Sequence, residues 1–132
     1  MKKISIFYIF IFLIISSKSF AEWIKWGANA NGHEFYYQHV KKHNNNIFFT
    51  KMIDYLKPQS VGELCSKMYQ EVNCSNYSFK FHTFSSYKNS MCSGIDLHDK
   101  QEVKNYLDNM DWVHPANNSV DNLLNRELCK KY

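Results

Sequence analysis

The sequence predicts an α+β fold: a single small antiparallel β-sheet of about five or six strands, with a C-terminal α-helix packed on it and disulfides stapling the two. Three observations carry this prediction. Residues 64–74 and 77–87, on either side of a tight turn, both alternate with a period of two, and secondly an apolar stripe recurs at helical spacing near the C-terminus. The third observation is the four cysteines, Cys65, Cys74, Cys92 and Cys129, which follow an export signal.

That signal opens the chain. Lys2 and Lys3 precede an apolar run from Ile6 to Ile15, and Ser19, Phe20 and Ala21 precede Glu22, which is the three-part order of a secretory signal peptide. Residues 1–21 are therefore read as the signal and 22–132 as one domain. The run is about ten residues, half of what a spanning helix needs, so no membrane span is expected after cleavage. No cysteine stands immediately after Ala21, so no lipid anchor is evident, and the product is expected in the periplasm, in the medium or at the cell surface. Removing Lys2, Lys3 and Lys18 from the 16 basic residues leaves 13 against 12 acidic. A charge so near neutrality offers no electrostatic case for nucleic acid or an anionic membrane surface.

The elements follow in order. Trp23 and Trp26 lead to a turn signal at residues 29–32, and residues 34–40, rich in aromatic and β-branched types, read as a strand. Residues 41–46 end in three asparagines and read as a hairpin turn into a second strand over 47–56, closed by Pro58. In the strand over 64–74, Leu64, Met68, Val72 and Cys74 share one face while Cys65, Lys67, Tyr69, Glu71 and Asn73 share the other. Cys74 is thus expected to point into the core and Cys65 away from it. In the strand over 77–87, Tyr77, Phe79, Phe81 and Thr83 alternate with Ser78, Lys80, His82 and Phe84. Four strands in hairpin order favour an antiparallel sheet.

Residues 88–100 read as a loop or short edge strand. Helical spacing of Val103, Tyr106, Leu107 and Met110, with Asp99 and Glu102 placed as a capping box, predicts a helix over 99–110. A further strand is expected at 111–114, carrying Trp112. At the C-terminus Ser119 is an N-cap, Asp121 suits the first turn, and Val120, Leu123, Leu124 and Leu128 form one apolar face.

Strand parity argues against a Cys65–Cys74 bond and leaves two pairings. Cys74 with Cys129 and Cys65 with Cys92 is favoured, closing loops of about 56 and 28 residues that contribute roughly 4 kcal/mol each on the chain-entropy model. At about 100° per residue, however, Cys129 falls opposite Val120 on a continuous helix, so this pairing is expected to need unwinding by Cys129.

The run of Trp23, Asp54-Tyr55, Ser66-Lys67, Glu71 to Cys74, Tyr87, Gly94, Trp112, Pro115, Ser119, Leu123-Leu124 and Cys129 resembles the family named for surface-adhesin protein E of Gram-negative bacteria. The resemblance implies a small antiparallel sheet with a C-terminal helix tied back through Cys74 and Cys129, and an exported protein without catalytic residues. It also implies a surface lipoprotein that binds host matrix proteins and dimerises. This chain departs from that pattern in lacking a lipidated cysteine and in adding Cys65 and Cys92.

No reaction is legible. The chain has no CxxC, no His-Glu-x-x-His and no Gly-rich phosphate loop, and His39 and His43 straddle a strand and a turn, so no catalytic residue, metal or cofactor is assigned. The aromatic surplus is the remaining signal. Tyr36, Tyr37, Phe48 and Phe84 cannot all share one buried face and are the candidate binding surface for a protein partner or a second copy of the chain. Two partners are weighed: a host matrix component for an adhesin-like protein, or another envelope protein for a periplasmic accessory, inhibitor or immunity-type protein.

Overall fold

The computed structural model describes residues 22–132, so the signal-peptide reading of residues 1–21 lies outside the described residues. Five strands, β1 (Ile24–Ala28), β2 (Glu34–His43), β3 (Asn46–Asp54), β4 (Cys65–Asn73) and β5 (Phe79–Tyr87), form one sheet in chain order. Every neighbouring pair is antiparallel. A 3₁₀ turn (Ser90–Cys92) and helix α1 (Lys100–Asp108) follow β5, and helix α2 (Val120–Lys131) ends the chain.

The register sorts side chains into two faces. Ile47, Val72 and Phe79 lie side by side on the core face, as do Tyr37, Lys51, Met68 and Phe84. Leu124 and Leu128 of α2, both fully buried, close the core over Tyr37, Ile47, Phe49, Val72 and Phe79. Polar ties fix the helix as well. The buried Gln70 donates to Asn125 Oδ1 (3.1 Å), and Asn125 donates in turn to the Tyr77 carbonyl (3.2 Å). Trp26 Nε1 donates to Glu127, and Lys51 Nζ reaches Asp121 at 2.5 Å. Lys51 is 1 % exposed, with its ammonium 5.7 and 5.5 Å from the ring centroids of Phe79 and Phe81. A cation this deep needs both an anion and polarisable ring faces around it.

Two disulfides complete the frame: Cys74 to Cys129, with Cα atoms 5.6 Å apart, and Cys65 to Cys92, at 5.0 Å. The first forms without the expected unwinding, because α2 runs on through Lys131. The inward face is centred on Leu124, Asn125 and Leu128 rather than on Val120. Cys129 lies one turn beyond Asn125, about 40° away around the axis, on the border of that face. Leu123, expected among the apolar contacts, is 43 % exposed on the far side.

Several other expectations are corrected. The hairpin between β2 and β3 turns on Asn44 and Asn45 alone, with Asn44 at φ 53°, because the strands extend through His43 and resume at Asn46. A bulge between Gln38 and Lys41, with His39 at φ 56°, supplies the extra residue. Residues 111–114 form no strand; a single bridge joins Val113 to Phe79. The fifth strand is instead β1, whose pairing the sequence does not announce because a bulge interrupts it at Trp26.

In β5 a bulge beside the Tyr69–Gln70 step leaves His82 opposite no residue of β4. Parity inverts past that point, so Phe84 joins Phe79 and Phe81 on the core face and Thr83 moves to the other. Cys65 does lie on the face opposite Val72, yet it is 0 % exposed, because the segment carrying Cys92 folds over it. Asp54 anchors that segment by accepting from Ser90 Oγ (2.8 Å) and the Met91 N–H (2.8 Å).

Candidate functional site

The face of the sheet turned away from α2 is covered at only one end. There the 3₁₀ turn and the Cys65–Cys92 bond shield Cys65, and Met52 is fully buried. Toward the other end none of the described helices lies over it, and the side chains stand on three neighbouring strands. Phe48 of β3, Tyr69 of β4 and His82 of β5 form a triangle, with ring centroids 6.2, 6.1 and 6.1 Å apart. Phe48 and Tyr69 are half-buried and His82 is exposed.

Each ring is placed by a local cause. Phe48 and Tyr69 are diagonal neighbours, since Phe48 pairs with Glu71 and Thr50 pairs with Tyr69. His82 lies on the face that alternation from Lys80 assigns to it, and the bulge leaves it without a partner on β4. Glu71 ties the group together, its Oε1 2.8 Å from His82 Nε2 and its Oε2 accepting from Asn46 Nδ2 at 2.8 Å. The result is an aromatic platform, of the residue type that protein interfaces favour, with a carboxylate fixed at its edge.

Along the same face toward β1 lies a second polar group. Tyr36 donates to Glu34 Oε2 (2.6 Å), and Lys25 Nζ sits 2.6 Å from Oε1. The Lys25 hydrogen bond, followed by that of Tyr36, holds the Glu34 carboxyl below its usual range. The same contact with Glu34, followed by desolvation, pushes the Tyr36 phenol up to about 12. Burial raises Tyr55. These perturbations are explained by pairwise contacts and burial on the sheet and do not converge on a cleft. Among the described residues no group of three or more His, Cys, Asp or Glu is placed to hold a metal.

The four aromatic residues singled out by composition therefore part company. Tyr36 and Phe48 are on the free face, Tyr37 is 4 % exposed in the core, and Phe84 turns to the core face beside α1, 5.4 Å from the His98 ring. Tyr69 and His82 belong to the platform and were missed. The alternation over 64–74 does assign Tyr69 to the face away from Val72, and that over 77–87 assigns His82 to the face away from Phe79; these are the signals that could have found them.

The model of the surface-adhesin protein E family matches residues 23–130. The chain belongs to that family. A solved structure of Haemophilus influenzae protein E, crystal form II, is similar in fold, with a TM-score of 0.58 and 15 % identity over 83 % of this chain and 88 % of that one. No match is found among curated proteins. As a member of the surface-adhesin protein E family the protein is adhesin-like and of surface or secreted type.

Proposed function

We propose that this surface-adhesin protein E family member is a non-catalytic binding protein that recognises a host matrix protein through the Phe48, Tyr69 and His82 platform. The observation carrying this reading is that three rings from three strands cluster on a sheet face that α2 leaves free, beside a carboxylate held by two partners. Aromatic side chains offer large contact area with few rotatable bonds and dominate protein-interface energetics. Family membership supports the adhesin role and export to the surface or the medium. Tyr36 belongs to the rim of the same surface.

The test is binding of the oxidised protein to purified host matrix proteins, measured by surface plasmon resonance. Phe48→Ser together with Tyr69→Ser is expected to weaken binding by roughly 30-fold, the scale of a lost hot spot. Both side chains lie on the face away from α2, so thermal unfolding should stay cooperative in the double variant. Undiminished binding by that variant overturns the platform. Binding confined to proteins of the bacterial envelope transfers the reading to a periplasmic accessory protein. A platform occupied by a second copy, detected by sedimentation, makes it a dimer interface.

A further inference from the structure

The outer edge of β5 is a separate feature. Alternation aims the main-chain groups of Phe79, Phe81, Phe84 and Ser86 outward from the sheet. Phe79 is clasped by two bonds to Val113 (2.9 and 2.8 Å). At the other end Ser86 donates to Asp96 Oδ1 (3.1 Å) and accepts from the Leu97 N–H (2.8 Å). Between these clasps the Phe81 N–H has only the thioether of Met110, at 3.5 Å. Among the described residues no hydrogen bond joins the Phe84 N–H or C=O, or the Phe81 C=O, to another segment.

What lies over this stretch is α1, and it lies loosely. The helix runs from one clasp to the other, yet none of its residues is buried. Val103 and Leu107 face β5 half-buried, while Tyr106 is 71 % exposed. Slots remain on both sides of it. One, of about 420 Å³, is lined by Phe81, Phe84, Val103, Leu107 and Met110; the other, of about 790 Å³, includes His82, Ser85 and Lys100. Its carboxylates are engaged, Asp96 by main-chain N–H groups and Asp108 by Lys104 at 2.6 Å. Lys100 makes no ion pair among the described residues.

We propose that α1 is a displaceable cover and that the β5 edge from Phe81 to Ser85 takes an extended peptide of a protein partner, apolar at alternate positions and acidic where it meets Lys100. The edge offers alternating donors and acceptors, which only an extended main chain matches residue for residue. Five residues of strand span roughly 16 Å, enough for four or five residues of the incoming peptide. Its side chains on the core face pack against Phe81 and Phe84 once α1 has moved aside, and its acidic residue supplies the counter-charge that Lys100 lacks. This surface is distinct from the platform, and either can fail without the other.

The probe is an acetylated, amidated Thr-Val-Thr-Leu-Thr-Asp peptide titrated into the ¹⁵N-labelled oxidised protein. Slowed exchange of the Phe84 amide and shifts confined to Phe81–Ser85 and α1 are expected. N-methylation of the peptide on its edge-facing residues should weaken binding at least tenfold. Val103→Asp with Leu107→Asp, on a helix that buries nothing, should loosen the cover and raise affinity severalfold, whereas Lys100→Glu should lower it. An unprotected Phe84 amide, indifference to N-methylation, or shifts only at Phe48, Tyr69 and His82 overturns the proposal. Protection of Phe84 by dimerisation without peptide assigns the edge to a second copy and overturns it equally.

Discussion

Lys51 shows how a single side chain can be misread from its type. Its position in β3 is an inward one, and burial is tolerated because Asp121 and two phenylalanine faces surround the ammonium. Asp121→Ala leaves a buried cation without its anion and is expected to destabilise the fold by about 2 kcal/mol in urea unfolding. Adding Lys51→Met in that background should restore most of the loss, since the neutral side chain needs no partner. Tyr36 offers a second test at this scale. Its phenol is raised by its hydrogen bond to Glu34, so the neutral form is favoured in the fold. That contribution is fully present below the unfolded phenol's pKa of about 10 and is lost as pH rises through about 12. ¹³C-tyrosine NMR should show Tyr36 titrating late, and Glu34→Gln should bring it back toward the other tyrosines.

Among the elements, β5 carries the most consequence for the least sequence signal. One bulged residue, His82, reverses which side chains face the core beyond it. Simple alternation therefore misplaces Phe84 while placing Phe79 and Phe81 correctly. Deleting His82 should restore an uninterrupted ladder and keep Phe84 opposite Met68 on the core face. The Phe84–His98 contact should persist by NMR and the urea midpoint should shift by no more than about 0.5 kcal/mol, since the side chain removed is an exposed one. Helix α2 teaches the complementary point. Its start and its Ser119 cap, which accepts from the Asn122 N–H at 3.2 Å, are legible from residue types. Its inward face is not, because Asn125 is a buried polar residue whose partners, Gln70 of β4 and the Tyr77 carbonyl, lie elsewhere in the chain.

For the whole molecule, the two disulfides divide the labour. Cys74–Cys129 binds α2 to the sheet over a separation of 55 residues, and Cys65–Cys92 binds the 3₁₀ turn over the free face across 27. Replacing Cys74 and Cys129 by serine is expected to lower stability by about 4 kcal/mol on the chain-entropy model. Replacing Cys65 and Cys92 should leave α2 docked while hydrogen exchange accelerates across residues 88–98, where Met91 and Cys92 hold positive φ. Together the bonds leave one sheet face free near the turn between β2 and β3 and shield the other end.

Period and chemistry along the chain were enough to determine an antiparallel sheet, a C-terminal helix and an oxidised frame, since alternation, capping and cysteine pairing are local or nearly local properties. The platform was a tertiary decision. Phe48, Tyr69 and His82 are brought together by the pairing of β3 with β4 and of β4 with β5, and register is a relation between two strands that neither strand records alone.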